Sequence, residues 1–173
     1  SKIGNAVCLP NEFKTNLRGF FLSAGLTRQI LPKIDYNYGI VSVTAGVDVS
    51  INARTYMMFG QGGTTFGLGV LAEGHAYLGG SCPATCTSAN ADAKLQLGIS
   101  GDYNTKTKFY NIDGCSSLSL KISASQCLPV LVDCGPCVSV KLADFTIGAK
   151  VHLDNNNGFS MGLTTTSCDQ QCK

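Results

Sequence analysis

A chain of 173 residues is long enough to bury a core of its own as one domain, so its nine cysteines do not compensate for small size and point instead to an oxidising compartment. Only 14% of residues are charged and the net charge is +2, with Lys and Arg scattered among Gly, Ser, Thr and Asn. That balance argues against a nucleic-acid partner, and no apolar run approaches the ~18 residues of a membrane-spanning helix.

The numbering opens on Ser1 without a signal-peptide pattern, which reads as a mature, processed chain. No Asn begins an Asn-x-Ser/Thr sequon, so N-glycosylation is not expected. Residues 1–35 read as an N-terminal helical arm. From Asn11 to Leu31, Phe13, Leu17, Phe20, Phe21, Leu26 and Ile30 recur at roughly helical spacing, with Gly25 as a break and Pro32 as a stop. The arm is expected to pack across the sheet, or to dock its Phe13, Leu17, Phe20 and Phe21 stripe on a neighbouring copy. Removing residues 1–31 would then abolish assembly and leave the rest folded.

Residues 36–173 read as an antiparallel β domain. From Tyr36 the period changes to two. Val41, Val43, Ala45, Val47, Val49, Ile51 and Ala53 alternate with polar residues or glycine. Phe66, Leu68, Val70, Ala72 and Ala76 repeat the pattern, as do Ala91, Ala93, Leu95, Leu97 and Ile99. Leu118, Leu120, Ile122 and Ala124 follow, then Val138, Val140 and Leu142, then Phe145 to Leu153, and finally Phe159, Met161 and Leu163. Parallel strands buried on both faces would read as continuous apolar runs, and these do not. The expected fold is mainly β: an antiparallel meander of about seven to nine long strands with one apolar face, closed as a barrel or folded as a sandwich. Gly101-Asp102-Tyr103-Asn104 and Asn155-Asn156-Asn157-Gly158 have the composition of tight turns. A common buried face is expected for Val43, Val47, Val49, Ile51, Leu95, Leu97, Ile99, Leu120, Ile122, Ile147, Val151 and Met161.

The cysteines are Cys8, Cys82, Cys86, Cys115, Cys127, Cys134, Cys137, Cys168 and Cys172. The set is odd, so one thiol is free or bonded to another molecule if the others pair. Six stand in close doublets at expected loops or termini: Cys82 with Cys86, Cys134 with Cys137, and Cys168 with Cys172. Disulfides there would staple strand ends together. Cys134-Gly-Pro-Cys137 is identical to the thioredoxin active-site tetrapeptide, but a strand pattern rather than a helix follows it, no tryptophan precedes it and no βαβ pattern surrounds it. A structural disulfide is the expected role. A zinc site built from two doublets is disfavoured by their wide separation and the lack of a nearby His.

Other motifs are weaker. Gly60-Gln61-Gly62-Gly63-Thr64-Thr65 lacks the lysine of a phosphate loop and precedes a strand, so it reads as a turn. His75 and His152 fall on polar faces of expected strands, His75 beside Glu73. No catalytic residue, cofactor site or metal site is assigned, and the chain is not expected to be an enzyme. A transmembrane β-barrel would show the same alternation, but aromatic girdles are weak in a chain without Trp. The expectation is a secreted, extracellular structural subunit of a fibre, coat or matrix, self-associating into a homo-oligomer or polymer. The alternative is a secreted barrel or cup that binds an apolar ligand such as a lipid.

Overall fold

The computed structural model describes residues 19–60, 62–130 and 133–168. These form one sheet of seven strands, all antiparallel and in sequence order. The strands are β1 (Gly19–Tyr38), β2 (Val41–Gly60), β3 (Gly63–Cys82), β4 (Thr87–Asn104), β5 (Tyr110–Val130), β6 (Asp133–Asp154) and β7 (Gly158–Thr164). The meander is the one the alternating pattern predicts.

The register confirms how the period-two sets combine. Val49 pairs Gly74, Gly74 pairs Leu95, Leu95 pairs Leu118 and Leu118 pairs Ile147. Ala53, Val70, Ile99, Gly114, Val151 and Met161 form a parallel row. Partners across a ladder share a face, so the twelve residues expected on one face do lie together. The charged residues of β2 to β5, and those of β6 beyond Val138, register on the other face. One such row is Arg54, Gly69, Ser100, Asp113 and His152. A one-residue slip would exchange these faces entirely, so the clean segregation holds the register.

Three expectations are corrected. First, no helix occurs among the described residues, and the segment expected to be helical up to Leu31 is a strand from Gly19 onward. Phe20 pairs Met57 on the apolar face while Phe21 pairs Tyr56 on the polar face, so the two do not form one stripe. Phe13 and Leu17 lie outside the described residues. Pairing with β2 along nearly all of β1 outweighs a helical spacing that six residues fit only loosely. Pro32 does not precede the sheet. It sits within β1, where the register shifts between Gln29 and Leu31 and again between Leu31 and Ile34, and an edge strand with bulges is where a proline is tolerated. A truncation after Leu31 therefore removes most of β1 instead of a separable arm.

Second, the sheet does not close. β1 pairs only β2 and β7 pairs only β6 among the described residues. β7 has seven residues and covers Gly148–Asp154 of β6, so it neither reaches β1 nor screens the rest of β6. Nor does a second sheet face the first, so barrel and sandwich are both absent from the described residues. Third, Gly101 to Asn104 complete β4 instead of turning. The reversal follows them, where Asn104 Oδ1 accepts hydrogen bonds from the Lys106 and Thr107 N–H groups, each at 3.0 Å. The second expected turn is present: Gly158 has φ +77°, and Asp154 Oδ1 accepts from the N–H groups of Asn156 (2.7 Å) and Asn157 (2.6 Å).

A single sheet has no second layer to make a core. Among the described residues the buried apolar side chains are Tyr56, Leu71, Cys86 and Cys168. None of them belongs to the apolar face. Leu97 is 54% exposed, Ile99 58% and Met161 73%, so the face expected to be buried is uncovered. Burial occurs on the polar side. There the Tyr56 ring lies over Gly67 and the Tyr77 ring over Gly46, each its direct cross-strand partner, and a side chain at either glycine would collide with the ring.

Candidate functional site

Three regions collect the residues on which a function could rest: the centre of the polar face, the cysteine-rich end of the sheet, and the apolar face.

On the polar face, strand pairing brings Asp48, His75 and Asp92 together from β2, β3 and β4. His75 Nδ1 lies 3.2 Å from Asp48 Oδ1, and Nε2 lies 2.7 Å from Asp92 Oδ2. The same arrangement recurs at His152, with Nδ1 2.6 Å from Asp113 Oδ1 and Nε2 2.8 Å from Asp154 Oδ2. Each imidazole has a carboxylate at both nitrogens, so neither reaches a serine or cysteine as a general base would. The two carboxylates stand on opposite sides of the ring and share no common point. Among the described residues no three or more His, Cys, Asp or Glu side chains converge as around a metal ion. Glu73 shares a face with His75, as the alternation predicts, but Glu73 Oε2 pairs with Lys94 Nζ at 2.9 Å and accepts from Gln96 Nε2 at 2.8 Å.

Hydrogen bonding to Asp92, above all, raises the His75 pKa above its ordinary value, against a smaller opposing effect of burial. Bonding to Asp113 and then Asp154 raises that of His152. Asp154 is held well below the usual carboxylate range, chiefly by the Asn157 side-chain and backbone donors and then by His152. Burial raises the Asp102 carboxyl and, with its hydrogen bond to Asp102, the Tyr56 hydroxyl. The pH dependence follows from these signs. A histidine whose folded pKa exceeds its unfolded value near 6.5 stabilises fully below that value and loses the contribution as pH rises through the folded pKa. Unfolding midpoints in urea should fall as pH rises from about 6.5 through the raised pKa of each histidine, and His75→Gln with His152→Gln should flatten that slope. An unchanged slope in the double variant would show that the two clasps do not act through charge.

The centre of the polar face is sealed by the chain's own C-terminal stretch. After β7 the chain crosses back, and the Cys168 N–H donates to Gln96 Oε1 and Ser117 Oγ, each at 3.2 Å. Ser117 Oγ donates in turn to Gln96 Oε1 at 3.1 Å. The Cys115–Cys168 disulfide fixes this crossing. Gln96 is 1% exposed, Ser117 2% and Cys168 3%. Every polar group named here has a partner, which marks a structural clasp.

Of the seven described cysteines, six are bonded: Cys86 with Cys134, Cys115 with Cys168, and Cys127 with Cys137. Cys82 is the one free thiol among them. Cys8 and Cys172 lie outside the described residues. One cysteine of the first doublet is therefore joined to one of the second. Cys134 and Cys137 do not bond each other, and both lie within β6 rather than in a loop. A Cys-Gly-Pro-Cys dithiol couple is thus not what the tetrapeptide forms.

The apolar face runs across all seven strands. It carries an open groove of about 840 Å³ where β7 ends, lined by Leu95, Leu118, Ile147, Ala149 and Leu163 among others. A smaller hollow of about 270 Å³ lies beside the bulges of β1, against Leu31, Ile34, Ala45, Val47 and Leu78. Among the described residues no helix is long and apolar enough to cross a membrane.

Compared with known proteins, the chain matches no family model, no curated protein and no solved structure. The functional reading therefore rests on the geometry alone.

Proposed function

We propose that this protein is a non-catalytic structural subunit of an extracellular fibre, coat or matrix, and that copies of it associate through the apolar face of the sheet. The observation that carries the reading is that this face lies uncovered, its side chains exposed or half-buried from strand to strand. A strand of 20 residues spans about 66 Å, and seven strands about 4.8 Å apart span about 29 Å. Because β7 is short, the usable face is on the order of 1,500 Å². Stacking two such faces would bury roughly 3,000 Å² in all, which is in the range of obligate assemblies and well above the ~1,600 Å² of an ordinary stable complex. A second copy also offers a surface of matching length, twist and small-residue texture. Three disulfides among the described residues support an oxidising, extracellular setting, and sparse charge supports association.

An apolar ligand such as a lipid is the competing occupant, and the groove beside Ile147 and Leu163 favours it. Sedimentation equilibrium separates the two. Self-association with a midpoint in the micromolar range or below supports assembly. A protein that stays monomeric at high concentration would overturn it.

A further inference from the structure

At one end of the sheet a free thiol stands beside a disulfide. Cys82 closes β3 and Cys86 immediately precedes β4. Cys82 pairs Thr87 in the ladder, and the Thr85 N–H donates to the Cys82 carbonyl at 3.2 Å to close the turn. Cys86 directly precedes Thr87, the ladder partner of Cys82, so the two cysteines bracket one turn with three residues between them. The sulfurs of the Cys86–Cys134 disulfide lie against the residue next to Cys82: Cys86 Sγ is 3.5 Å and Cys134 Sγ 3.9 Å from the Pro83 carbonyl oxygen. Nucleophile and electrophile thus share one five-residue turn.

We propose that Cys82 attacks the Cys86–Cys134 disulfide in an intramolecular thiol–disulfide exchange. The Cys82 thiolate forms a bond to Cys86 Sγ, the Cys86–Cys134 bond breaks, and Cys134 leaves with the electron pair. Cys134 takes up a proton in place of the one Cys82 released, so the step needs no oxidant or reductant. Its product is a local Cys82–Cys86 bridge and an exposed Cys134 thiol at the start of β6. The tie between the β3–β4 turn and β6 is released, while Cys127–Cys137 still joins β5 to β6. Thr85 is the positioning residue. Its side-chain and backbone hydrogen bonds favour the Cys82 thiolate and lower the thiol's pKa, with the Ala84 amide adding a smaller contribution.

The test is non-reducing peptide mapping of the full chain. The protein is held at pH 8, quenched with acid, and alkylated with N-ethylmaleimide under denaturing conditions while still mildly acidic. The expected result is a population with alkylated Cys134 and a Cys82–Cys86 bridge. Cys82→Ser should abolish alkylation of Cys134 and retain the Cys86–Cys134 bridge. Thr85→Val should slow the appearance of alkylated Cys134 at pH 7 and lose that effect above pH 9, a pH profile that a merely structural role would not give. Cys134 protected in the wild type, or alkylated equally in Cys82→Ser, would overturn the proposal.

Discussion

Replacing Cys115 and Cys168 together by alanine is expected to lower stability by at least about 4 kcal/mol. The bridge closes a loop of 53 residues, and loop-closure entropy for that length gives about 4 kcal/mol. The loss has a second source. Without the bridge, the Cys168 amide no longer holds to Gln96 and Ser117, and two buried polar side chains at the centre of the sheet are opened to water. Roughly 8–16 °C of melting temperature should go with it. Replacing Cys127 and Cys137 is the comparison. Their loop of 10 residues corresponds to about 2.7 kcal/mol, within a hairpin that the ladder already holds. Urea unfolding of the two variants should rank them in that order. A change below about 1 kcal/mol for Cys115 and Cys168 would mean that the crossing over the polar face contributes nothing.

The second large effect concerns the apolar face. Leu97 and Ile147 lie near its centre, in neighbouring rows with Ile51 and Leu118. Leu97→Asp with Ile147→Asp should leave the sheet folded, because both side chains are already exposed within one chain. The same pair should abolish association. Burying a Leu or Ile stabilises by about 1.5–3 kcal/mol, and a two-fold interface meets each site twice. The variant thus loses on the order of 6 kcal/mol or more, which is at least about 10⁴-fold in affinity. Lys121→Ala with Asp144→Ala, on the opposite face, should leave association within about tenfold. Sedimentation of both pairs beside the wild type, with circular dichroism to verify the fold, checks the prediction. Association that survives the two aspartates would place the contact elsewhere.

The strands after Tyr36 were legible because two independent regularities agree. Period-two alternation sets the face of Val47, Leu97 or Val151, and the charged residues between them forbid the other face. The first strand was not legible. Phe20, Phe21, Leu26 and Ile30 fit a helix as readily as a strand when read alone, and only the long ladder with β2 decides between them. Gly101 to Asn104 misled because their composition suits a turn, while the reversal depends on the Asn104 carboxamide capping the residues that follow. The sequence placed His75 and His152 on the polar face. It could not show that Asp48, Asp92, Asp113 and Asp154 clasp them, since three of these four partners come from other strands and require the register. Disulfide connectivity was closed to sequence reasoning for the same reason. Cys86 meets Cys134, and Cys115 meets Cys168, only once the meander has brought distant turns to the same end or face.

The uncovered face remains the central claim, and native mass spectrometry of the purified full-length protein tests it most directly, because mass alone reports both copy number and any retained lipid. The account predicts two or more copies per particle with no additional lipid mass, and single copies after Leu97→Asp with Ile147→Asp. A single copy carrying lipid in the wild type, or a bare monomer at the concentrations where sedimentation is measured, would contradict it.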